Sequence, residues 1–148
     1  MRHITEEGLA LIKHFEGFSY TPYICPAGWR TIGYGHVIKT GENFTSITKE
    51  EGEELLKKDI LIAEISVLKN IEVPLEDYQF DALTSFTFNL GGGALQRSTL
   101  RMKVNRNEHT EAAIEFLKWV WAKGKRLRGL LIRRQAEAQL YMGGGFYG

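Results

Sequence analysis

Residues 14–36 constrain the fold more than any other part of the chain. Apolar residues recur at helical spacing up to Phe15, and Gly17 is typical of the residue that ends a helix. Residues 20–30 combine aromatic side chains with two prolines and a glycine, and residues 31–36 alternate β-forming residues with glycines. This pattern predicts a short helix that stops abruptly and then a small twisted hairpin or three-stranded sheet.

Glu16 is the candidate chemical centre of this stretch. It falls in the last turn of the predicted helix, where the negative end of the helix dipole disfavours a carboxylate. We expect the nearby rings of Phe15, Phe18, Tyr20 and Tyr23 to form apolar walls around it. Both effects favour the protonated carboxyl, which a general acid near neutral pH requires. A solvated surface glutamate is the alternative that position alone suggests.

Helical patterns account for most of the remaining chain. Thr48 and Glu51 have the spacing of a capping box that opens a long amphipathic helix. The glycines after Asn89 predict the end of a buried helix, and Ser98 is placed to cap the next one. The predicted helices cover residues 48–69, 76–88, 98–104, 110–121 and 129–141, with a basic loop at 124–129 and a frayed tail at 143–148.

Composition excludes several functional classes. The four histidines are scattered and no nucleic-acid-binding signature occurs, so we expect no metal, no cofactor and no nucleic acid. Cys25 is the only cysteine, which fits a reducing cytoplasm. No stretch approaches the roughly 20 apolar residues that span a bilayer, and no signal peptide or anchor is recognisable, so we expect no stable membrane insertion.

Charge is distributed unevenly although the net charge is only +1. Residues 42–64 hold seven acids and three lysines, whereas residues 118–134 hold seven basic residues and no acid. The basic segment is either a solvated surface or a patch that draws the protein to an anionic wall or membrane. Two tryptophans lie within it: Trp119 is expected in the core, whereas Trp121 could be core or face a sugar.

The spacing of Glu16, eight residues, Cys25, five residues and Thr31 resembles the active-site signature of the phage-type lysozymes, the endolysin muramidases. Residues 32–36 after Thr31 and two later blocks, 79–100 and 116–141, share the resemblance. It implies one α+β, mostly helical, lysozyme-like domain over residues 1–148. A small N-terminal β hairpin lobe (14–47) and a helical C-terminal lobe (70–148) would be joined by the helix 48–69, with a cleft between them.

The resemblance also implies a function. The family hydrolyses the β-1,4 bond between N-acetylmuramic acid and N-acetylglucosamine of bacterial peptidoglycan. We expect a monomeric endolysin, held in the host cytoplasm until a separate phage protein opens a route to the periplasm or wall. The residues carried over are Glu16, Cys25 and Thr31 as catalytic groups and Tyr34, His36, Asn89, Ser98 and Arg133 as substrate-binding groups.

Two of these assignments have structural alternatives. His36 could serve only to end its strand. An arginine of the last helix could face the cleft and pair with Glu16, or it could pair within the helix with Glu137.

Cys25 stands where the family pattern has Asp, and three interpretations follow. In order of preference, Cys25 helps Thr31 to place a water that attacks with inversion, acts as a nucleophile through a thioglycoside, or marks a chain that only binds glycan. A thiol-protease pair of Cys25 and His36 lacks an orienting motif. A lytic transglycosylase that uses Glu16 alone is the remaining enzyme alternative.

Overall fold

The computed structural model describes all 148 residues as seven α-helices and two small antiparallel sheets. This confirms the predicted α+β, mostly helical class. The elements in chain order are α1 (Glu6–Glu16), β1 (Ser19–Ile24), β2 (Arg30–Gly33), β3 (His36–Val37), α2 (Lys49–Asn70), α3 (Asp77–Leu90), α4 (Gly92–Arg97), α5 (Thr99–Asn105), α6 (His109–Phe116), β4 (Trp121–Ala122), β5 (Lys125–Arg126) and α7 (Arg128–Tyr141).

The first sheet has the strand order β1-β2-β3. It begins at Ser19, three residues after Glu16 ends α1. Tyr23 lies opposite Thr31 across β1 and β2, and the register is irregular between Ser19 and Tyr23. Gly33 ends β2 with a φ of +66°, and Gly35 in the following turn has a φ of +78°. Glycine accepts these left-handed angles without the steric cost that a Cβ would bring.

α2 links the sheet to the helical part of the molecule. Thr48 and Glu51 form the predicted capping box, in which each side chain accepts the other's backbone N–H. Leu56 and Ile60 of α2 belong to a small apolar cluster with α1 and the sheet, whereas Val67 belongs to the large cluster of the helical lobe. The same helix therefore contributes to both hydrophobic cores.

α3 runs through the middle of the helical lobe and anchors the start of α1. Residues 79–87 of α3 are all buried. Asp81 accepts hydrogen bonds from the backbone N–H and the hydroxyl of Thr5, the residue that caps α1. α1 is thereby fixed at its N-terminal end against the centre of the protein.

Three predicted segments differ in the structure. α4 begins at Gly92, inside the predicted glycine break, because Gly91 (φ +95°) turns the chain and buries Ala94 and Leu95. The predicted helix 110–121 ends at Phe116, and β4 and β5 form a hairpin where a helix end and a loop were expected. The tail is not frayed, since Phe146 packs on α1. None of the seven helices has the length and apolarity needed to cross a bilayer.

Candidate active site

Glu16 is the last residue of α1 and meets both parts of the molecule. Gly17, with a φ of +69°, ends the helix by donating its N–H to the carbonyl of Lys13 at 3.0 Å. The Oε2 atom of Glu16 accepts a hydrogen bond from Nη1 of Arg133 in α7 at 2.8 Å. The Oε1 atom faces Gly35 in the turn between β2 and β3, where an added Cβ would lie only 2.8 Å away. The side chain is 22 % exposed, so it is sheltered but open on one side.

The surroundings of Glu16 differ from the apolar walls that we expected. Phe15 packs against the large core, and Phe18 pairs with Tyr20. Tyr23 lies near enough to Glu16 for the carboxylate to affect its titration, and the ring centre of Phe15 lies 5.6 Å from the guanidinium of Arg133. Glu16 therefore has a guanidinium as its direct partner instead of being enclosed by apolar rings.

Behind Glu16 lies a buried chain of alternating charges on α3 and α7. The Nε of Arg133 lies 3.3 Å from Oε2 of Glu137, which also accepts the Ser85 hydroxyl at 2.6 Å. The Nε of Arg134 lies 2.6 Å from Oε1 of Glu137, and its Nη2 donates to Asn89 at 2.8 Å. The two alternatives for the last helix are therefore both realised, since Arg133 pairs with Glu16 and with Glu137.

Cys25 lies at the end of β1, where the chain turns back toward β2. Its backbone N–H donates to the carbonyl of Trp29 at 2.9 Å, and its carbonyl accepts from Gly28, whose φ is +90°. The backbone N–H of Trp29 and the hydroxyl of Thr31 lie near the sulfur and, as donors to a thiolate, hold the pKa of the Cys25 thiol below its ordinary value, against the opposing effect of burial. The turn therefore favours the thiolate, the form that can accept a proton.

Thr31 connects this turn to the sheet. Its side chain is buried, and its hydroxyl lies 2.9 Å from the carbonyl of Trp29 and within reach of the Cys25 sulfur. A hydroxyl has one proton to donate, so it serves one of these acceptors at a time. Ionisation of Cys25 would draw that proton toward the sulfur.

Tyr23 was expected only as one of the apolar walls around Glu16, yet its phenol also lies beside two groups that can be charged. Burial first, and then the negative charges of Cys25 and Glu16, raise the pKa of Tyr23. Its phenol thus remains a hydrogen-bond donor beside both groups at neutral pH. The available signal was its position two residues before Cys25, the spacing at which side chains of an extended segment point the same way.

Two of the five expected substrate-binding residues are fully engaged within the protein. His36 is buried, with Nδ1 2.8 Å from Oδ2 of Asp59 and Nε2 3.0 Å from Oε1 of Glu42. Ser98 is buried as the cap of α5, where its Oγ accepts the N–H of Arg101 and donates to the carbonyl of Leu95. These contacts favour a structural role for both residues, and they leave no ring nitrogen of His36 for a pair with Cys25.

The other three expected residues are placed differently. Arg133 holds Glu16, and Asn89 is partly exposed with its Oδ1 held by Arg134. Tyr34 is buried against Phe18, with the ammonium of Lys13 5.4 Å from its ring centre. No group of three or more His, Cys, Asp or Glu side chains could hold a metal ion.

The two tryptophans of the basic segment lie in contrasting environments. Trp119 packs on the large core, with its ring centre 5.5 Å from that of Phe86. Trp121 is 63 % exposed. The core position predicted for Trp119 agrees with the structure, and Trp121, which was left open, is a surface residue.

Comparison with known proteins gives a consistent result. Residues 13–137 match the Phage lysozyme family. The endolysin of Acyrthosiphon pisum secondary endosymbiont phage 1 is 45% identical over 147 residues, covering 94% of this chain and 97% of the relative. The structure of the endolysin from Escherichia coli O157:H7 phage FAHEc1 superposes with a TM-score of 0.91 at 34% identity, covering 99% of this chain and 98% of the other.

A third comparison involves two forms of one protein, the P1 phage endolysin Lyz. Its active form superposes with a TM-score of 0.85 at 30% identity, covering 95% of this chain and 85% of the other. Its secreted inactive form gives a TM-score of 0.63 at 30% identity, covering 96% and 97%. The arrangement of this chain is thus nearer to that of the active form.

Proposed function

The chain belongs to the phage lysozyme family, and on that premise we propose that this muramidase hydrolyses the β-1,4 bond between N-acetylmuramic acid and N-acetylglucosamine of peptidoglycan. The observation that carries the proposal is the position of Glu16 between Gly35 of the β2–β3 turn and Arg133 of α7. A sugar strand in the cleft would meet one sheltered carboxyl with one oxygen free. All of the groups involved come from a single chain, so a monomer suffices.

The two oxygens of Glu16 have different roles in this proposal. Arg133 holds Oε2, so the proton resides on Oε1, the atom that faces Gly35. Oε1 donates this proton to the glycosidic oxygen as the bond from that oxygen to the anomeric carbon breaks. Arg133 then stabilises the carboxylate that remains.

Cys25 and Thr31 act on the opposite side of the sugar. Thr31 positions a water molecule, and the Cys25 thiolate takes a proton from it as its oxygen bonds to the anomeric carbon. The lowered pKa of Cys25 and the proximity of the Thr31 hydroxyl support this assignment. Attack of water on the face opposite the leaving group inverts the anomeric configuration.

Product analysis tests this proposal. Purified peptidoglycan digested by the wild-type protein should yield muropeptides with a free reducing end, whose first-formed anomer is inverted. Glu16→Gln should abolish this release while the melting temperature stays within the wild-type range, and Glu50→Gln, an exposed change of the same chemistry, should not. Anhydro-sugar products would indicate a lytic transglycosylase, and binding without cleavage would indicate a binding module. Retention with a Cys25 adduct seen by mass spectrometry would indicate a thioglycoside.

We further propose that the enzyme acts from the host cytoplasm outward, reaching the wall once another phage protein has opened a path. The support for this route is the membership of the chain in the phage lysozyme family and its similarity to proteins named endolysins.

A further inference from the structure

The outward side of the C-terminal half of α2 is apolar although no part of the chain covers it. Ile62 is 75 % exposed and Ile65 is 48 % exposed, and Leu61 and Leu68 beside them are exposed as well. The four residues recur at helical spacing, so they lie together on one face of α2. We call them the apolar strip. Single apolar residues on a surface are ordinary, but a contiguous group of this kind marks a place of contact.

The packing of the fold does not account for the apolar strip. Ile60 and Val67 of α2 face inward, are buried and contribute to the two hydrophobic clusters. The apolar strip belongs to neither cluster. α2 is therefore apolar on two sides, and only one of these sides is used within the protein.

Positive charge flanks the apolar strip. Lys58 and Lys69 lie at its two ends on the same face of α2, roughly 16 Å apart along the helix. Both are exposed, and neither takes part in an ion pair. The only acid between Asp59 and Glu72 is Glu64, which is buried. The face between the two lysines is thus apolar and free of exposed acids.

α5 adds cations at the C-terminal end of α2. The Nε of Arg101 donates to the carbonyl of Asn70, the last residue of α2, at 3.2 Å. Arg106, which ends α5, is exposed, and neither arginine takes part in an ion pair. Together with Lys69 they face one exposed acid nearby in the chain, Glu72. This end of the apolar strip therefore has a surplus of positive charge.

An anionic lipid surface fits both features of this face. Apolar side chains of a helix that lies in the interface enter the boundary between headgroups and acyl chains, while lysines extend their stems to reach the headgroups. A free anion would use the cations and leave the apolar strip in water. A second copy fits poorly, because an antiparallel pair of strips would place Lys58 of one copy opposite Lys69 of the other.

We propose that the C-terminal half of α2 binds the surface of an anionic phospholipid bilayer, with Ile62 and Ile65 at the acyl-chain boundary and Lys58 and Lys69 on the headgroup phosphates. The protein lies on the bilayer and does not cross it, since no helix is long and apolar enough to do so. This inference goes beyond the proposed function, and no residue of the candidate active site takes part in it.

The test measures binding of the full chain to two kinds of vesicle by co-sedimentation. One kind contains phosphatidylglycerol and phosphatidylcholine in equal parts, and the other contains phosphatidylcholine alone. The strip variant combines Ile62→Gln and Ile65→Gln, and its control combines Ile114→Gln and Ile132→Gln, two other exposed isoleucines. The lysine variant combines Lys58→Gln and Lys69→Gln, and its control combines Lys39→Gln and Lys125→Gln, two other exposed lysines that form no ion pair. Melting curves check that each variant is folded.

The wild type should bind the anionic vesicles about tenfold or more tightly than the neutral ones, and this preference should shrink as salt rises. The strip variant should lose about tenfold or more in affinity for the anionic vesicles, because two apolar side chains no longer leave water. The lysine variant should lose about tenfold, since each lysine near the surface contributes to the attraction. Both controls should bind as the wild type does.

A fluorescence measurement locates the contact directly. The added indole of Ile62→Trp should be quenched by lipids with brominated acyl chains, whereas the added indole of Ile114→Trp should not. Equal quenching of the two would overturn the proposal.

Two further results would also overturn it. The first is equal binding of the wild type and the strip variant to anionic vesicles. The second is a wild type that sediments as a dimer without lipid and a strip variant that sediments as a monomer, because the apolar strip would then be covered by a second copy. Neither result bears on hydrolysis of peptidoglycan, which Glu16→Gln tests separately.

Discussion

The guanidinium of Arg133 lies 2.8 Å from the carboxylate of Glu16, although the two residues are 117 positions apart in the chain. One ends the first helix and the other lies in the last, so this contact joins the two ends of the fold at the candidate active site. It leaves Oε1 of Glu16 as the atom that faces the sheet.

Gly35→Ala should reduce activity more than stability. An added Cβ would lie 2.8 Å from Oε1 of Glu16, a contact that only a shift of the carboxyl relieves, and a misplacement of about 1 Å can cost about 100-fold in rate. Gly41→Ala is the matched control, because Gly41 also has a positive φ (+91°) but has open space around it. Both changes should cost about 1–2 kcal/mol of stability from backbone strain. Kinetics and denaturation of the pair separate the two effects, and equal activities would contradict the role given to Oε1.

If Cys25 acts as proposed, kcat/KM should rise with pH over the range in which its thiol ionises. If the thiolate takes a proton from the attacking water, kcat/KM rises as the thiol ionises, and the lowered pKa of Cys25 places this rise below that of an ordinary thiol. Cys25→Asp should keep activity and move the rise toward the carboxylate range, near pH ~4. Cys25→Ala should lose about 100-fold or more. The test is kcat/KM of the wild type and both variants, measured across these pH values. A Cys25→Ala variant with the wild-type pH profile would show that Cys25 has no part in the mechanism.

Glu137→Ala should be among the most destabilising single changes in the chain. It would leave Arg133 and Arg134 buried without their shared partner, which typically costs about 3–5 kcal/mol. Glu111→Ala, at an exposed position of α6, should change the free energy of unfolding by no more than about 0.5 kcal/mol. Urea denaturation of the two variants measures the difference. Similar stabilities would mean that the buried charges do not depend on Glu137.

His36 should make the protein less stable as pH rises. Burial lowers the pKa of His36, but the hydrogen bonds to Asp59 and Glu42 outweigh that effect and raise it above 6.5. The folded state thus binds this proton more tightly than the unfolded state, so the stabilisation is fully present below about pH 6.5 and is lost as pH rises through the folded pKa. Urea denaturation from about pH 5 to about pH 9 should show the decline in wild type and in His14→Gln. His36→Gln should lack it, and an unchanged decline in that variant would assign the effect to other groups.

Features that depend on neighbours in sequence were predictable. The capping box of Thr48 and Glu51, the cap of Ser98 and the helix end between Glu16 and Gly17 each follow from a few adjacent residues. The positions of these caps and helix ends along the chain predict the order of the helices and of the small sheet. They also predict that Glu16, Cys25 and Thr31 lie near one another; in the structure Thr31 adjoins Cys25, and Tyr23 lies beside both Cys25 and Glu16.

Features that depend on distant partners were not predictable. Arg133 and Arg134 are adjacent and chemically alike, and only the packing of α7 on α3 decides which one meets Glu16. His36 was expected at the substrate because its partners, Asp59 and Glu42, come from other elements. The hairpin of β4 and β5 was missed because its strands have two residues each and a lysine occupies the left-handed position of its turn.

The buried chain of Glu16, Arg133, Glu137 and Arg134 is electrically neutral only while Glu16 is ionised. Protonation of Glu16 leaves one surplus positive charge beside side chains that are almost fully buried. In the proposed mechanism, transfer of that proton to the sugar removes the surplus, so the charge balance of the protein favours the proton-transfer step.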